Sequence, residues 1–213
     1  MKLYKNFSPT VSIILPTFNR SELLPEAVNS VKNQTFSNWE LIIVDDGSMD
    51  NTFEVVNQVK QSSENIRYLR HSNRGVALSM NAGLSCAGGE YITFLGSDDS
   101  YKTNHLKTRI DYLKNNPEVE FIHGGVEIIG NPYVQDKNDL NRKIHLDDCI
   151  IGGTIFAKRE ILLKLEGFND LSYSAESDLY ERAVKSGVKI ERVNFPTYVY
   201  NRETPGSITN SVM

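Results

Sequence analysis

A chain of 213 residues with a formal net charge of −4 is long enough to bury a sizeable core, and its size fits one α/β domain spanning residues 1–213. The acidic balance and the lack of clustered Lys and Arg exclude a nucleic-acid-binding surface, so a phosphate-bearing ligand would need a metal as intermediary. Cys86 and Cys149 fit neither a disulfide framework nor a metal-ligand spacing, and no apolar run can span a bilayer, which reads as a soluble cytoplasmic chain that at most visits a membrane surface.

Val11-Ser12-Ile13-Ile14-Leu15 predicts a buried strand, closed by Pro16-Thr17-Phe18-Asn19-Arg20, where proline ends regular pairing and asparagine favours a turn. Ser21 is placed to cap a helix in which Leu24, Ala27, Val28 and Val31 recur at helical spacing, with Pro25 tolerable in its first turn. Trp39 to Val44 is a second buried strand running into Asp45-Asp46-Gly47-Ser48, and Ser48 or Asp50 can cap a helix through Val55, Val56 and Val59. A shorter strand, Ile66 to Arg70, precedes Asn73-Arg74-Gly75, which opens a helix reaching Ser85 and ended by Gly88-Gly89. Glu90 to Leu95 is then a strand that stops at Gly96-Ser97-Asp98-Asp99. The alternation predicts an α/β fold, Rossmann-like, with a mostly parallel central sheet and helices on both faces.

Beyond Asp99 the pattern loosens. Leu106, Ile110 and Leu113 mark a helix closed by Asn116-Pro117, and Val119 to His123 reads as a strand. Residues 127–148 lack periodicity and read as a surface excursion with a hairpin at best, a small antiparallel addition in the C-terminal half. Gly152 to Ala157 predicts a strand, Arg159 to Leu165 a helix ending at Gly167, and Leu179, Ala183 and Val184 a last helix capped by Ser174 and ended by Gly187. Residues 201–213 read as a turn-rich, mobile tail.

Three strand ends carry polar loops: Pro16 to Arg20, Asp45 to Ser48, and Ser97 to Asp99. In a parallel sheet all three lie along one edge, where open α/β sheets collect ligands. Adjacent carboxylates repel, so Asp98 and Asp99 either form a solvated turn or face a cation. The loop after the first strand has no Gly-x-Gly-x-x-Gly, and no P-loop occurs, so no glycine-rich cradle for phosphates is available. What remains is a site that reads a nucleotide with carboxylates and holds its phosphates through Mn²⁺ or Mg²⁺, ions that take one or two carboxylates plus phosphate oxygens and water.

Val11 to Asn19, Leu41 to Ser48, Asn73-Arg74-Gly75 with Asn81-Ala82-Gly83, and Gly89 to Ile92 leading to Ser97-Asp98-Asp99 resemble the family 2 glycosyltransferases, whose fold is GT-A. A weaker likeness through Gly167-Phe168 and Glu176 to Arg182 extends the resemblance over nearly all of residues 10–200. It implies an inverting enzyme that moves a sugar from a nucleotide-sugar donor, a UDP-sugar first, to a hydroxyl of a carbohydrate or lipid-linked glycan acceptor in polysaccharide assembly. It implies a nucleotide-binding half at residues 10–100 and an acceptor and catalytic half at 101–200. Pro16, Thr17, Phe18 and Asn19, with Asp45 or Asp46, would border the nucleoside, and Asn81 would belong to the same half. Asp98 would lie near the ribose and Asp99, with Asp98, would hold the metal as a DxD-type motif. Glu176, six residues before Arg182, takes the place of the catalytic base, with Asp178 in reserve; an acid in a helix's first turn is also favoured by the dipole alone. The sequence departs from the family pattern at Gly96, where an acid often stands, at Met80, where arginine is usual, and at Glu176, where aspartate is commoner.

His71, His105, His123 and His145 share no metal spacing and read as surface or internally satisfied residues, Met80 and Trp39 as packing, and Arg202 as an exposed arginine rather than a diphosphate ligand. Two rival functions stand beside the transferase. A sugar-nucleotide nucleotidylyltransferase wants a glycine-rich first loop, which Pro16-Thr17-Phe18-Asn19 is not; a non-catalytic nucleotide-sugar binding module would keep the donor site without turnover.

Overall fold

The computed structural model describes residues 8–61 and 63–205. Strands β1 (Val11–Thr17), β2 (Trp39–Asp45), β3 (Ile66–Arg70) and β4 (Tyr91–Phe94) alternate with helices α1 (Leu24–Lys32), α2 (Thr52–Lys60) and α3 (Val76–Cys86). The chain continues through β5 (Ser100–Tyr101), α4 (His105–Asn115), β6 (Phe121–His123), β7 (Val126–Ile129), β8 (Tyr133–Asp136) and β9 (Asp139–His145). Then follow β10 (Phe156–Lys158), α5 (Arg159–Lys164), α6 (Ala175–Lys185), β11 (Ile190–Arg192) and β12 (Tyr198–Asn201).

Seven strands form the central sheet in the order β11-β6-β10-β4-β1-β2-β3, all pairs parallel except those of β10, which runs antiparallel to β4 and β6. β5, β12 and β7 make a small mixed sheet, and β8 with β9 an antiparallel hairpin. The central strands are mostly apolar because helices cover both faces. Val11, Ile13 and Leu15 share a core with Leu24, Val28 and Val31 of α1 and Leu106 and Ile110 of α4. Ile14 and Ile42 turn the other way, into a core with Met80 and Leu84 of α3, Leu162 of α5 and Leu179 of α6. Each such side chain, fully removed from water, contributes about 1.5–3 kcal/mol.

One polar pair interrupts these runs. Ser12 and Glu40 are neighbours in register and fully buried. Glu40 Oε1 accepts from Ser12 Oγ at 2.6 Å and from the Gly88 amide at 2.7 Å, while Oε2 accepts from Arg67 Nη1 at 3.1 Å. A carboxylate is tolerable there because its oxygens are paired and hydrogen-bonded. The network ties β1, β2 and β3 to the turn that launches β4.

Several helix starts and strand boundaries differ from the sequence pattern. Ser21 does not cap α1: the position before that helix is Leu23, Pro25 sets its first turn, and the Ser21 amide donates to Asp50 Oδ2. Ser48 turns to Asn19 instead of α2, while Asp50 Oδ1 accepts from the amide and hydroxyl of Thr52 at the start of that helix. Ser174 has left-handed backbone, φ 60°, and its hydroxyl donates to Ser177 Oγ rather than capping α6. The strand expected from Gly152 splits into a 3-10 turn and β10. Residues 127–148 are more than a surface excursion, since β7 joins the mixed sheet and the hairpin lines a cleft. Asn201 ends β12, and residues 206–213 of the expected mobile tail lie outside the described residues.

Candidate active site

β1, β2 and β4 run parallel, with Thr17 beside Asp45 and Ile14 beside Phe94, so the loops that follow them leave one edge of the sheet. There they open into a single cleft of about 1090 Å³ whose walls include Pro16, Thr17, Phe18, Asp46, Asp98, Asp99 and, from α6, Glu176.

The adjacent acids after β2 separate into two roles. Asp45 is fully buried, accepts the Ser48 amide at 2.7 Å and the Tyr68 hydroxyl at 2.5 Å, and does not line the cleft. Asp46 does line it, and its two oxygens each accept at 2.8 Å from the amides of Arg74 and Gly75 that lead into α3. His71 Nδ1 lies 3.3 Å from the same carboxylate and 2.8 Å from the Ser72 carbonyl, so this histidine is satisfied within the fold and does not line the cleft.

Two other residues that the resemblance assigns to nucleotide binding stand outside the cleft wall. Asn19 is exposed with φ 51°, and its side chain accepts the Met49 amide at 2.8 Å, building the loop that holds Phe18. Asn81 spends its carboxamide on the Phe168 backbone, donating to the carbonyl and accepting from the amide, both at 2.8 Å. It locks α3 to the loop after α5. Met80 is 7% exposed and belongs to the core, reaching the cleft only as part of its wall.

Gly96 explains how the acid pair folds. A Cβ there would fall 2.4 Å from Asp99 Oδ2 and 3.2 Å from Asp98 Oδ1, so both carboxylates lie back over residue 96 and a larger residue would displace them. Asp99 Oδ2 accepts the Tyr198 hydroxyl at 2.5 Å, and Oδ1 accepts the Asn201 amide at 2.8 Å. Burial, with the neighbouring Asp98 charge adding to it, pushes Asp99 up to about 7 despite those two donors. Burial raises Asp98 as well, while Arg20 pulls it down. Two costly negative charges side by side, with lone pairs to spare, suit a hard divalent cation whose shell a diphosphate and water would complete. Among the described residues, no three His, Cys, Asp or Glu side chains gather into a cage that could hold such an ion unaided.

Glu176 enters from the first turn of α6, its Oε1 3.4 Å from where a Cβ on Gly152 would stand, and burial raises its pKa. Asp178 faces elsewhere. Its Oδ2 accepts from Arg182 Nε at 2.8 Å and from Asn169 Nδ2 at 3.0 Å, away from the cleft wall. Arg182 also donates to the carbonyls of Gly167, at 2.6 Å, and Leu165, which makes Asp178 part of the clamp that seats α6.

Trp39 is core, as its position suggests. His105 is buried and stacked on Tyr101 with ring centroids 3.8 Å apart, and burial holds its pKa well below the ordinary value. His123 lines the cleft, its pKa pushed down to about 4 by burial and Arg192. Arg202 is not exposed: it is 7% accessible and donates to the carbonyls of Asn131, at 2.9 Å, and Tyr133, at 2.7 Å, pinning the base of the hairpin. Arg20 and Tyr198 are cleft residues that no motif singles out. A lone basic residue in the first strand-end loop is the one available signal for Arg20, and Tyr198 has none.

Residues 12–166 match the family described as Glycosyl transferase family 2. A GalNAc(5)-diNAcBac-PP-undecaprenol beta-1,3-glucosyltransferase of Campylobacter jejuni is 31% identical over 188 residues, 83% of this chain and 60% of that protein. The Escherichia coli UDP-Glc:alpha-D-GlcNAc-diphosphoundecaprenol beta-1,3-glucosyltransferase WfgD is 38% identical over 149 residues, 67% of this chain and 57% of that protein. The chain thus spans about three fifths of the length of these relatives. Among solved structures, S. aureus TarS 1-349 in complex with UDP-GlcNAc superposes with a TM-score of 0.80 at 20% identity, over 96% of this chain and 61% of that one. The mannosyltransferase PcManGT of Pyrobaculum calidifontis, in complex with GDP-Man and Mn²⁺, gives 0.74 at 19% identity over 97% and 60%. These superpositions make the fold GT-A.

Proposed function

The chain belongs to glycosyl transferase family 2, and from that premise we propose that it transfers a sugar from a nucleotide donor, a UDP-sugar first, to a hydroxyl acceptor with inversion at the anomeric carbon. The observation that carries this reading is the convergence of the Asp46 loop, the Asp98-Asp99 pair and Glu176 on one cleft. Pro16, Thr17, Phe18 and Asp46 border the nucleoside, and Asp98 and Asp99 face the diphosphate. Residues 10–100 then make up the nucleotide half and residues 101–200 the acceptor half of one domain.

Asp98 and Asp99 are the residues that would hold Mn²⁺ or Mg²⁺; when bound, the ion supplies positive charge against the diphosphate that departs. Glu176 takes the proton of the acceptor hydroxyl as that oxygen bonds to the anomeric carbon and the carbon's bond to the diphosphate breaks. The raised pKa of Glu176 fits a base, because a carboxylate that is costly to keep charged accepts a proton readily. The hairpin of residues 133–145 lines the same cleft and supplies part of the acceptor side.

Relatives named for diphosphoundecaprenol-linked substrates favour a lipid-linked glycan acceptor, presented at the inner face of a membrane on which this chain would act peripherally. Among the described residues no helix is long and apolar enough to cross a bilayer. The test is nucleotide release from a panel of UDP- and GDP-sugars with a GlcNAc-diphospholipid acceptor, with Mn²⁺ and with chelator. Acceptor-dependent release that chelator abolishes is expected. Donor binding with no release for any pair would leave a binding module in place of a transferase.

A further inference from the structure

Tyr198 stands on the last strand, 99 residues from Asp99, yet its hydroxyl donates to Asp99 Oδ2 at 2.5 Å and accepts the Gly96 amide at 3.3 Å. Its ring is 2% exposed and is held on several sides. Tyr101 meets it edge-on with centroids 5.8 Å apart, and His105 lies 6.2 Å away. Beneath it is Gly153, where a Cβ would fall 2.0 Å from a ring carbon, so only glycine leaves room for the ring. A ring fixed by packing fixes its oxygen. Three residues further on, the Asn201 amide holds the other carboxylate oxygen at 2.8 Å. A carboxylate offers about four lone-pair sites, and these two donors take two of them, leaving the rest at a set orientation.

Packing alone gives no reason for the hydroxyl, since phenylalanine would fill the same space. Nor does stability call for an ionisable acid buried beside Asp98. The arrangement makes sense if Asp99 is being aimed.

We infer that Tyr198 is the positioning residue of the nucleotide-sugar site: from the seat provided by Gly153 it orients the Asp99 carboxylate toward the cation and diphosphate. This rests on the metal-dependent donor reading above. Outer partners of metal-facing ligands typically contribute about 10–100-fold to metal affinity.

The test is titration calorimetry of UDP and Mn²⁺ on the purified chain, with electron paramagnetic resonance counting bound manganese. Tyr198→Phe keeps the ring and removes the donor; Mn²⁺ affinity in the presence of UDP should fall about 10–100-fold, while UDP affinity in chelator stays unchanged. In an Asp99→Asn background, Tyr198→Phe should cost nothing more, because its effect runs through that carboxylate. Wild-type manganese affinity in Tyr198→Phe, or an undiminished loss in the Asp99→Asn background, overturns the inference. Should Tyr198→Phe not fold, 3-fluorotyrosine at 198 keeps the ring and changes the phenol's donor strength; an unchanged manganese affinity there overturns it equally. Wild-type protein that binds UDP identically with and without Mn²⁺ brings down the metal reading itself, and the inference with it.

Discussion

Replacing Glu176 by Gln leaves the size and shape of the side chain almost unaltered while removing its ability to take a proton. Glu176 lies beside the Gly152 turn and is raised in pKa by burial, so no rearrangement of α6 is required and donor binding should be untouched. Loss of a positioned base typically lowers turnover about 10²–10⁴-fold, which corresponds to about 3–5 kcal/mol on the barrier. Glu176→Asp keeps the base but draws it back by one methylene, and misplacement on the order of 1 Å costs up to about 10²-fold. The assay is initial-rate nucleotide release at saturating donor, with UDP affinity measured alongside. Activity should also fall on the acid side, at a pH above the ordinary carboxylate range, because a base works deprotonated and this one holds its proton longer. Glu176→Gln turning over within about threefold of wild type, against the 10²-fold minimum expected, would refute the assignment of the base.

A raised Asp99 pKa means that the folded chain binds a proton more tightly than the unfolded one. The stability this gives is complete below about pH 4 and is lost as pH rises through about 7. Metal-free Asp99→Asn should therefore unfold at higher urea than wild type at pH 8, by up to about 4 kcal/mol, and the gap should close toward pH 4; equal midpoints at pH 8 would contradict this. Glu40→Gln turns a network of charge-assisted bonds into weaker ones and removes the carboxylate charge that faces Arg67 Nη1 at 3.1 Å. Urea unfolding should register a loss of about 2–4 kcal/mol. Asp178→Asn keeps an acceptor for Arg182, so nucleotide release should stay within about threefold of wild type, whereas loss of a base would cost 10²-fold or more.

The alternation of β1 to β4 with α1 to α3 is legible because each strand is apolar on both sides and each helix repeats its apolar face. From there the strand-end loops and their shared edge follow. The rest depends on partners distant in the chain. β10 is three residues long and runs against its neighbours, a direction that no local pattern encodes. Asp45 and Asp46 are the same residue type one position apart, and only the turn that buries Asp45 against Tyr68 distinguishes them. Asn81 carries a motif, yet its two bonds go to Phe168, 87 residues away. Ser21 and Ser174 have the composition of caps, but the neighbouring backbone denies them the geometry. The hairpin of residues 133–145 enters the cleft through tertiary placement alone.

The two donors on Asp99 come from residues 198 and 201, separated from it by 99 and 102 positions, and this orders events during translation. A ribosome that has produced every strand-end loop up to Asp99 has still not produced the two groups that fix this carboxylate. A nascent chain stalled before β12 would lay down the strands up to β4 and yet leave Asp99 without either of these donors.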